Sequence, residues 1–190
     1  MVSSLCHAQY SNHQLYEAYI TRDMNVWEQY IDSADWDSLD ADQRKQLLNY
    51  EYGFSAYMLG VDVEKGKRLI QRFATHLELM KSELPEERYC AYLASVYTYQ
   101  LALDKSQLMK YAKGIFSNIQ RAMELNPNDP FVLSMQGNVE FYSPFGSKKA
   151  ALEYFQKADS LYGVAGADYE RWNRRAVQMT YIQCLSKQRR

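Results

Sequence analysis

Residues 122–158 read AMELNPNDPFVLSMQGNVEFYSPFGSKKAALEYFQKA, and this stretch decides the predicted fold. Asp129 followed by Pro130 is typical of the first turn of a helix, because proline lacks the N–H that would go unpaired there. The stretch therefore predicts that one helix ends and a second begins near Pro130, and that a third follows the turn at 143–146. Small residues and one aromatic residue recur on the facing sides of the second and third helices: Gly137, Ala151, Phe155 and Ala158.

This pattern resembles the tetratricopeptide repeat, in which small residues allow paired helices to approach closely and an aromatic residue fills the space between them. The resemblance is strongest over 122–161. Ala94 and Gly53 take the place of Gly137 in two earlier repeats, whose helices are longer than is usual for the family. The resemblance implies an all-α fold, a right-handed α-solenoid of antiparallel helix pairs with a C-terminal capping helix over 167–187.

Helical spacing of apolar residues continues along the rest of the chain. Asp40 with Gln43, and Asp104 with Gln107, have the spacing of a capping pair, in which two side chains satisfy backbone groups at a helix start. The helix after Asp104 carries an apolar stripe that must be buried, formed by Leu108, Ala112, Ile115, Ile119 and Ala122. Nine helices are predicted, over 6–21, 23–35, 40–59, 62–81, 85–103, 105–125, 129–142, 147–161 and 167–187.

The composition favours helices and excludes several classes of partner. The chain has 190 residues with 8 Gly and 4 Pro, few of the residues that punctuate β-rich folds. That length suits one repeat domain over 10–190. Lys and Arg number 22 against 23 Asp and Glu, so no global field recruits nucleic acid or an anionic membrane. No apolar run approaches the roughly 18 residues of a membrane span, so we expect no membrane insertion.

Residues that carry chemistry are scattered along the chain. The three histidines lie far apart, no Cys or His spacing suggests zinc, and no phosphate-binding or nucleophile motif occurs. The acidic stretch 32–42 lacks the glycine and glutamate of a calcium-binding loop. We therefore expect no enzyme, no cofactor and no metal site. A helical hydrolase that uses Glu78 or Glu140 in a cleft is the catalytic alternative.

The N-terminus leaves two localisations open. Residues 1–9 read MVSSLCHAQ without Lys or Arg, and Cys6 and Ala8 stand at the two positions that signal peptidase reads. We expect either the tail of a bacterial signal peptide, which gives a periplasmic or secreted protein, or the disordered N-terminus of a cytoplasmic one.

The family resemblance implies a binding function. In tetratricopeptide proteins the first helices of successive pairs line a concave groove, so we expect a non-enzymatic interaction module with a protein or peptide partner. Asn138 is the strongest candidate, because its amide both donates to and accepts from a peptide backbone. The 17 tyrosines suggest an alternative, a small-ligand-binding accessory protein for uptake with an aromatic-lined pocket. The groove residues that the resemblance implies are Tyr50, Phe54, Tyr57, Ser95, Thr98, Tyr99, Asn138 and Phe141.

Overall fold

The computed structural model describes residues 10–188, which contain nine α-helices and no strand. The segment 1–9, with its predicted signal-peptide tail or disordered N-terminus, lies outside the described residues. Each helix overlaps one predicted from the sequence. The helices are α1 Asn12–Thr21, α2 Met24–Asp32, α3 Ala41–Val61, α4 Val63–Leu79, α5 Glu86–Leu103, α6 Leu108–Leu125, α7 Pro130–Tyr142, α8 Lys148–Ala165 and α9 Arg171–Gln188.

The chain divides into two compact units, Met1–Leu84 (unit 1) and Pro85–Arg190 (unit 2). Unit 1 contains α1 to α4, and unit 2 contains α5 to α9. Consecutive helices pack as antiparallel pairs, α3 with α4 in unit 1, and α5 with α6 and α7 with α8 in unit 2. The last helix, α9, packs against α8 in the position predicted for the capping helix. The all-α fold of antiparallel helix pairs is therefore confirmed.

Carboxylates cap helices where the sequence predicts them. Asp40 Oδ1 accepts a hydrogen bond from the backbone N–H of Gln43 at 2.9 Å, and Gln43 Oε1 accepts one from the backbone N–H of Asp40. Asp129 caps α7, because its Oδ1 accepts hydrogen bonds from the backbone N–H groups of Phe131 and Val132. These bonds satisfy donors that have no partner within the helix.

The start of α6 differs from the prediction. Gln107 donates its side-chain amide to the carboxylate of Asp104 rather than to a backbone group, and a 3-10 turn precedes the helix. Only the second half of the predicted stripe is buried: Ile119 and Ala122 are inaccessible, whereas Leu108 is 53% exposed. The reason is length, because α7, which packs against α6, has 13 residues and α6 has 18. The first turns of α6 therefore extend beyond the end of α7.

Aromatic side chains form the core of unit 1. Trp27 of α2 donates its indole N–H to the carbonyl oxygen of Leu15 in α1 at 2.7 Å. The Trp27 ring packs edge-on against Tyr50 of α3, with centroids 4.8 Å apart, and Tyr30 packs against the same tyrosine. These contacts hold α1 and α2 against α3.

A buried carboxylate joins α3 to α4. Glu51 is fully buried and lies 2.8 Å from Arg72 Nε and 2.9 Å from His76 Nδ1. His76 also stacks on Trp36, with ring centroids 3.8 Å apart. A buried carboxylate is unfavourable unless it is paired and hydrogen-bonded. Arg72 and His76 therefore stabilise unit 1, because they contact the Glu51 carboxylate and offset the cost of burying it.

The α7–α8 pair of unit 2 has the close approach that the sequence predicts. A Cβ added at Gly137 would lie 2.6 Å from Phe155 Cε1, which is too close for any non-bonded contact. Likewise, a Cβ added at Gly114 of α6 would lie 2.6 Å from Cδ2 of the Tyr97 ring in α5. The four residues on which the prediction rests are all buried, namely Gly137, Ala151, Phe155 and Ala158.

Candidate functional site

Three helices of unit 2, α5, α7 and α9, run in the same direction because each is separated from the next by an antiparallel helix. α7 contacts both α5 and α9, and we call the side of α7 that lies between them the α7 face. In the tetratricopeptide pattern this is the binding side. The predicted groove residues of unit 2 are distributed along α5 and α7, so their burial shows which part of this face is open.

A buried ion cluster closes the N-terminal end of the α7 face. Arg88 of α5 pairs with Asp129 at 2.5 Å and with Glu170, which precedes α9. Its guanidinium also lies over the ring of Phe131. Desolvation lowers the pKa of Arg88, but Glu170 and Asp129 raise it by more, so the pKa is above its usual value. This cation is fully compensated and holds three helix starts together, so it is not available to clamp the carboxylate of a partner.

The middle of the α7 face is also closed. Ser95 is buried, and its hydroxyl donates to the carbonyl oxygen of Ala91 at 3.2 Å and lies 3.4 Å from the sulfur of Met135 on α7. Tyr92 of α5 packs on Phe131 of α7 with centroids 4.4 Å apart, and burial raises the pKa of its hydroxyl well above the ordinary value. Here α5 and α7 are in direct contact and leave no surface for a ligand.

The C-terminal end of the α7 face is open. Tyr142 is 64% exposed, Asn138 is half-buried and Thr98 is exposed. Phe141 is mostly buried under Lys187 of α9, whose Nζ lies 4.9 Å from the ring centroid. The Phe141 and Tyr142 rings contact each other edge to face at 4.7 Å. We refer to these five residues as the open end.

Next to the open end, the turn between α7 and α8 presents Phe145, which is 94% exposed. The backbone N–H of Phe145 donates to Ser143 Oγ, and that of Ser147 donates to Glu140 Oε2 at 2.8 Å. A Cβ at Gly146 would lie 2.1 Å from the carbonyl oxygen of Glu140, so only glycine fits this turn. The turn is therefore fixed at both ends and holds an aromatic ring in solvent. Glu140, the predicted alternative catalytic acid, forms part of this turn.

The surroundings of the open end are basic. Neither 141–152 nor 171–188 contains Asp or Glu, α8 begins with Lys148 and Lys149, and the nearby Glu140 carboxylate accepts a hydrogen bond from the Ser147 N–H. Exposed aromatic rings offer stacking area, and lysine ammonium groups offer charge to an anionic group. Together they suit a molecule that has a flat apolar face and an acidic edge.

The predicted groove residues divide into buried and accessible sets. In unit 1, Tyr50 belongs to the aromatic core and Phe54 is equally buried, while Tyr57 is 40% exposed. In unit 2, Ser95, Tyr99 and Phe141 are buried, whereas Asn138 is half-buried and Thr98 is exposed. Phe145 and Tyr142 are not among the groove residues that the sequence predicts. The Pro-Phe-Gly sequence of the turn is the signal for Phe145, because an aromatic residue beside turn-forming residues is directed into solvent.

The described residues hold neither a metal site nor a membrane span. No group of three or more His, Cys, Asp or Glu residues within 10–188 is placed to hold a metal ion. None of the helices in this range is both long and apolar enough to cross a membrane.

No protein-family model matches this chain, and no curated protein matches its sequence. Its fold is similar to that of the HusA haemophore from Porphyromonas gingivalis, with a TM-score of 0.57. The match covers 93% of this chain and 85% of the haemophore, and the two are 17% identical. The comparison shows a shared helical fold over most of both chains.

Proposed function

We propose that this chain is a non-enzymatic carrier that binds a porphyrin at the open end of the α7 face and at Phe145, as an accessory protein for uptake. The observation that carries the proposal is the fixed exposure of Tyr142 and Phe145 beside three lysines. The fold likeness to a haemophore supports the choice of ligand. The predicted alternative of a small-ligand accessory protein is thereby preferred to the peptide-binding module.

The chemistry of porphyrins fits these residues. A porphyrin is a broad, flat, apolar ring with carboxylate-bearing side chains on one edge. Covering a previously exposed Tyr or Phe ring contributes about 1.5–3 kcal/mol, and an offset or edge-to-face aromatic contact adds to it. The ammonium groups of Lys187, Lys148 and Lys149 attract the carboxylates. Exposed pairs of this kind contribute only about 0.2–1 kcal/mol each, so they orient the ring more than they hold it.

Haemin titration into the full chain tests this proposal. The Soret absorbance reports binding, and metal-free protoporphyrin IX, followed by its fluorescence, separates contacts to the ring from ligation of iron. We expect Tyr142→Ala with Phe145→Ala to weaken binding of both ligands by about 100-fold or more, because the two rings together contribute about 3–6 kcal/mol.

The matched control is Val164→Ala, which removes an equally exposed apolar side chain (86%) at the other end of α8. We expect this variant to bind like the wild type. Equal affinities of the aromatic double variant and the control would refute the assignment of the site. Absence of saturable binding of either porphyrin to the wild type would refute the proposed function.

A second candidate is the peptide-binding function implied by the tetratricopeptide resemblance. It is favoured by Asn138, whose side-chain amide makes no hydrogen bond to the residues that the structure describes and lies at the open end. Asn138→Ala separates the two candidates, because it removes a group that pairs with a peptide backbone. Under the peptide proposal it reduces capture of a protein partner, whereas under the porphyrin proposal it leaves haemin affinity nearly unchanged.

A further inference from the structure

The outer side of α6 carries a second exposed surface, distinct from the open end. Met109 is 83% exposed and Phe116 is 48% exposed, and the two lie two helical turns apart on one side. Lys113 lies between them, and Lys105 and Lys110 flank the N-terminal end. We call these five residues the α6 face. It has the amphipathic character of a helix that lies in an interface, with apolar residues between basic ones.

The lysines of the α6 face have no carboxylate partner within 10–188, although the Lys110 ammonium lies over the Tyr111 ring. No Asp or Glu occurs from Lys105 to residue 123, and no carboxylate of the described residues forms an ion pair with Lys105, Lys110 or Lys113. By contrast, two lysines on or just after α4 do have carboxylate partners. Lys67 pairs with Glu64, and Lys81 pairs with Glu78, each three residues away. The near-neutral net charge of the chain conceals this local excess of positive charge.

We propose that the α6 face docks unit 2 on an anionic lipid bilayer. Met109 and Phe116 enter the boundary between head groups and acyl chains, and the lysines extend their ammonium groups to the phosphates. The contact is peripheral, because the apolar surface is two side chains wide. This inference goes beyond the proposed carrier function and uses none of the residues of the open end.

Charge favours a bilayer over a second copy of the chain as the occupant. In a two-fold symmetric dimer the same surface occurs on both partners, so the three lysines of one copy would face those of the other. Like charges at such a contact repel, whereas an anionic bilayer attracts all three. A bilayer also accepts apolar side chains without requiring a complementary shape.

Co-sedimentation of the full chain with vesicles tests the proposal. We expect binding to vesicles of phosphatidylcholine mixed with phosphatidylglycerol, little binding to phosphatidylcholine alone, and weaker binding as salt screens the charges. Lys110→Gln with Lys113→Gln should lower the partition coefficient about 25-fold, at roughly fivefold for each lysine. Met109→Ser should lower it about tenfold, because its apolar side chain no longer enters the bilayer.

Two control variants make these outcomes specific. Lys67→Gln with Lys81→Gln changes the net charge of the chain equally, but removes lysines that pair with carboxylates, so partitioning should fall by less than fivefold. Val164→Ser removes another exposed apolar side chain of unit 2 and should leave partitioning unchanged. Circular dichroism checks that each variant is folded.

Three results would overturn the proposal. They are equal binding to both kinds of vesicle, unchanged partitioning of both the lysine variant and Met109→Ser, and a dimer by light scattering that Met109→Ser converts to a monomer. Failure here is distinguishable from failure of the carrier function, since haemin titration requires no vesicles. The lysine variant should bind haemin like the wild type.

Discussion

Replacing Gly137 by alanine tests the packing on which the fold depends. The new Cβ would lie 2.6, 2.8 and 3.1 Å from three carbons of the Phe155 ring, which is itself 1% exposed. Inserting a methyl group into such a contact costs about 1–3 kcal/mol. Alanine is also favoured over glycine inside a helix by about 1 kcal/mol. We therefore expect a net destabilisation of up to about 2 kcal/mol.

The same substitution at Gly60 isolates the steric contribution. A Cβ at Gly60 would have no atom within 4 Å, so only the gain in helix propensity applies there. We expect Gly60→Ala to stabilise the chain by up to about 1 kcal/mol. The difference between the two variants should therefore be about 1–3 kcal/mol, the value expected for the Phe155 contact alone.

Urea unfolding followed by circular dichroism gives the two free energies of unfolding. Hydrogen exchange of the backbone amides shows whether the loss at Gly137 is confined to α7 and α8. Phe155→Leu in the Gly137→Ala background should cost less than in the wild type, because the smaller side chain relieves the overlap. If Gly137→Ala stabilises the chain as much as Gly60→Ala does, the close approach of α7 and α8 is refuted.

Three further perturbations have defined outcomes. Arg88→Ala should cost about 3–5 kcal/mol in urea unfolding, because it leaves two buried carboxylates unpaired. Desolvation raises the pKa of Asp159, but hydrogen bonds from Arg174 and Gln178 outweigh it, so the pKa is below its usual value. The ionised carboxylate therefore stabilises the folded chain, and this stabilisation is lost as the pH falls through the pKa that Asp159 has in the folded state. Asp159→Asn should thus destabilise the chain at neutral pH but not in strong acid. Burial raises the pKa of the Cys90 and Cys184 thiols, so both should resist a thiol reagent until the chain is unfolded.

The fold was predictable because its signals are local. Caps such as Asp40 and Asp129 mark helix starts, and the spacing of small residues around Gly137 specifies which helix sides meet. Coverage of a helix is different, because it depends on the length of its neighbour. Nothing within α6 indicates that α7 is too short to cover Leu108, and for this reason the prediction of a fully buried stripe was wrong.

The candidate site was only partly predictable. Repeat positions indicate the side of a helix but not the distance to the next helix, so they place Ser95 in a groove although α5 and α7 touch there. The same positions select Thr98 and Asn138, which lie where the face is open. Phe145 has no periodic signal, because it belongs to a turn. Its exposure follows from the shape of the turn, which is held by hydrogen bonds from the Phe145 N–H to Ser143 Oγ and from the Ser147 N–H to Glu140 Oε2.

Charge placement at the end of unit 2 that contains the α7–α8 turn supports a functional role for that end. Helix N-termini favour acidic residues, by about 0.3–1 kcal/mol each near the surface, because the backbone N–H groups point outward there. Two helices start at this end, and both have lysines and no acid in their first turns: Lys110 in α6, and Lys148 and Lys149 in α8. One carboxylate lies just outside each start, Asp104 before α6 and Glu140 at the backbone N–H of Ser147 before α8. At the opposite end of unit 2 the acidic residue Asp129 caps α7, as this preference predicts. The lysines add positive charge to helix ends that are already positive, and a bound anion would pair with the lysines and with the helix ends. The porphyrin carboxylate of the proposed carrier function and the lipid phosphate of the proposed membrane contact are anions of this kind, so the lysines at this end are consistent with both proposals.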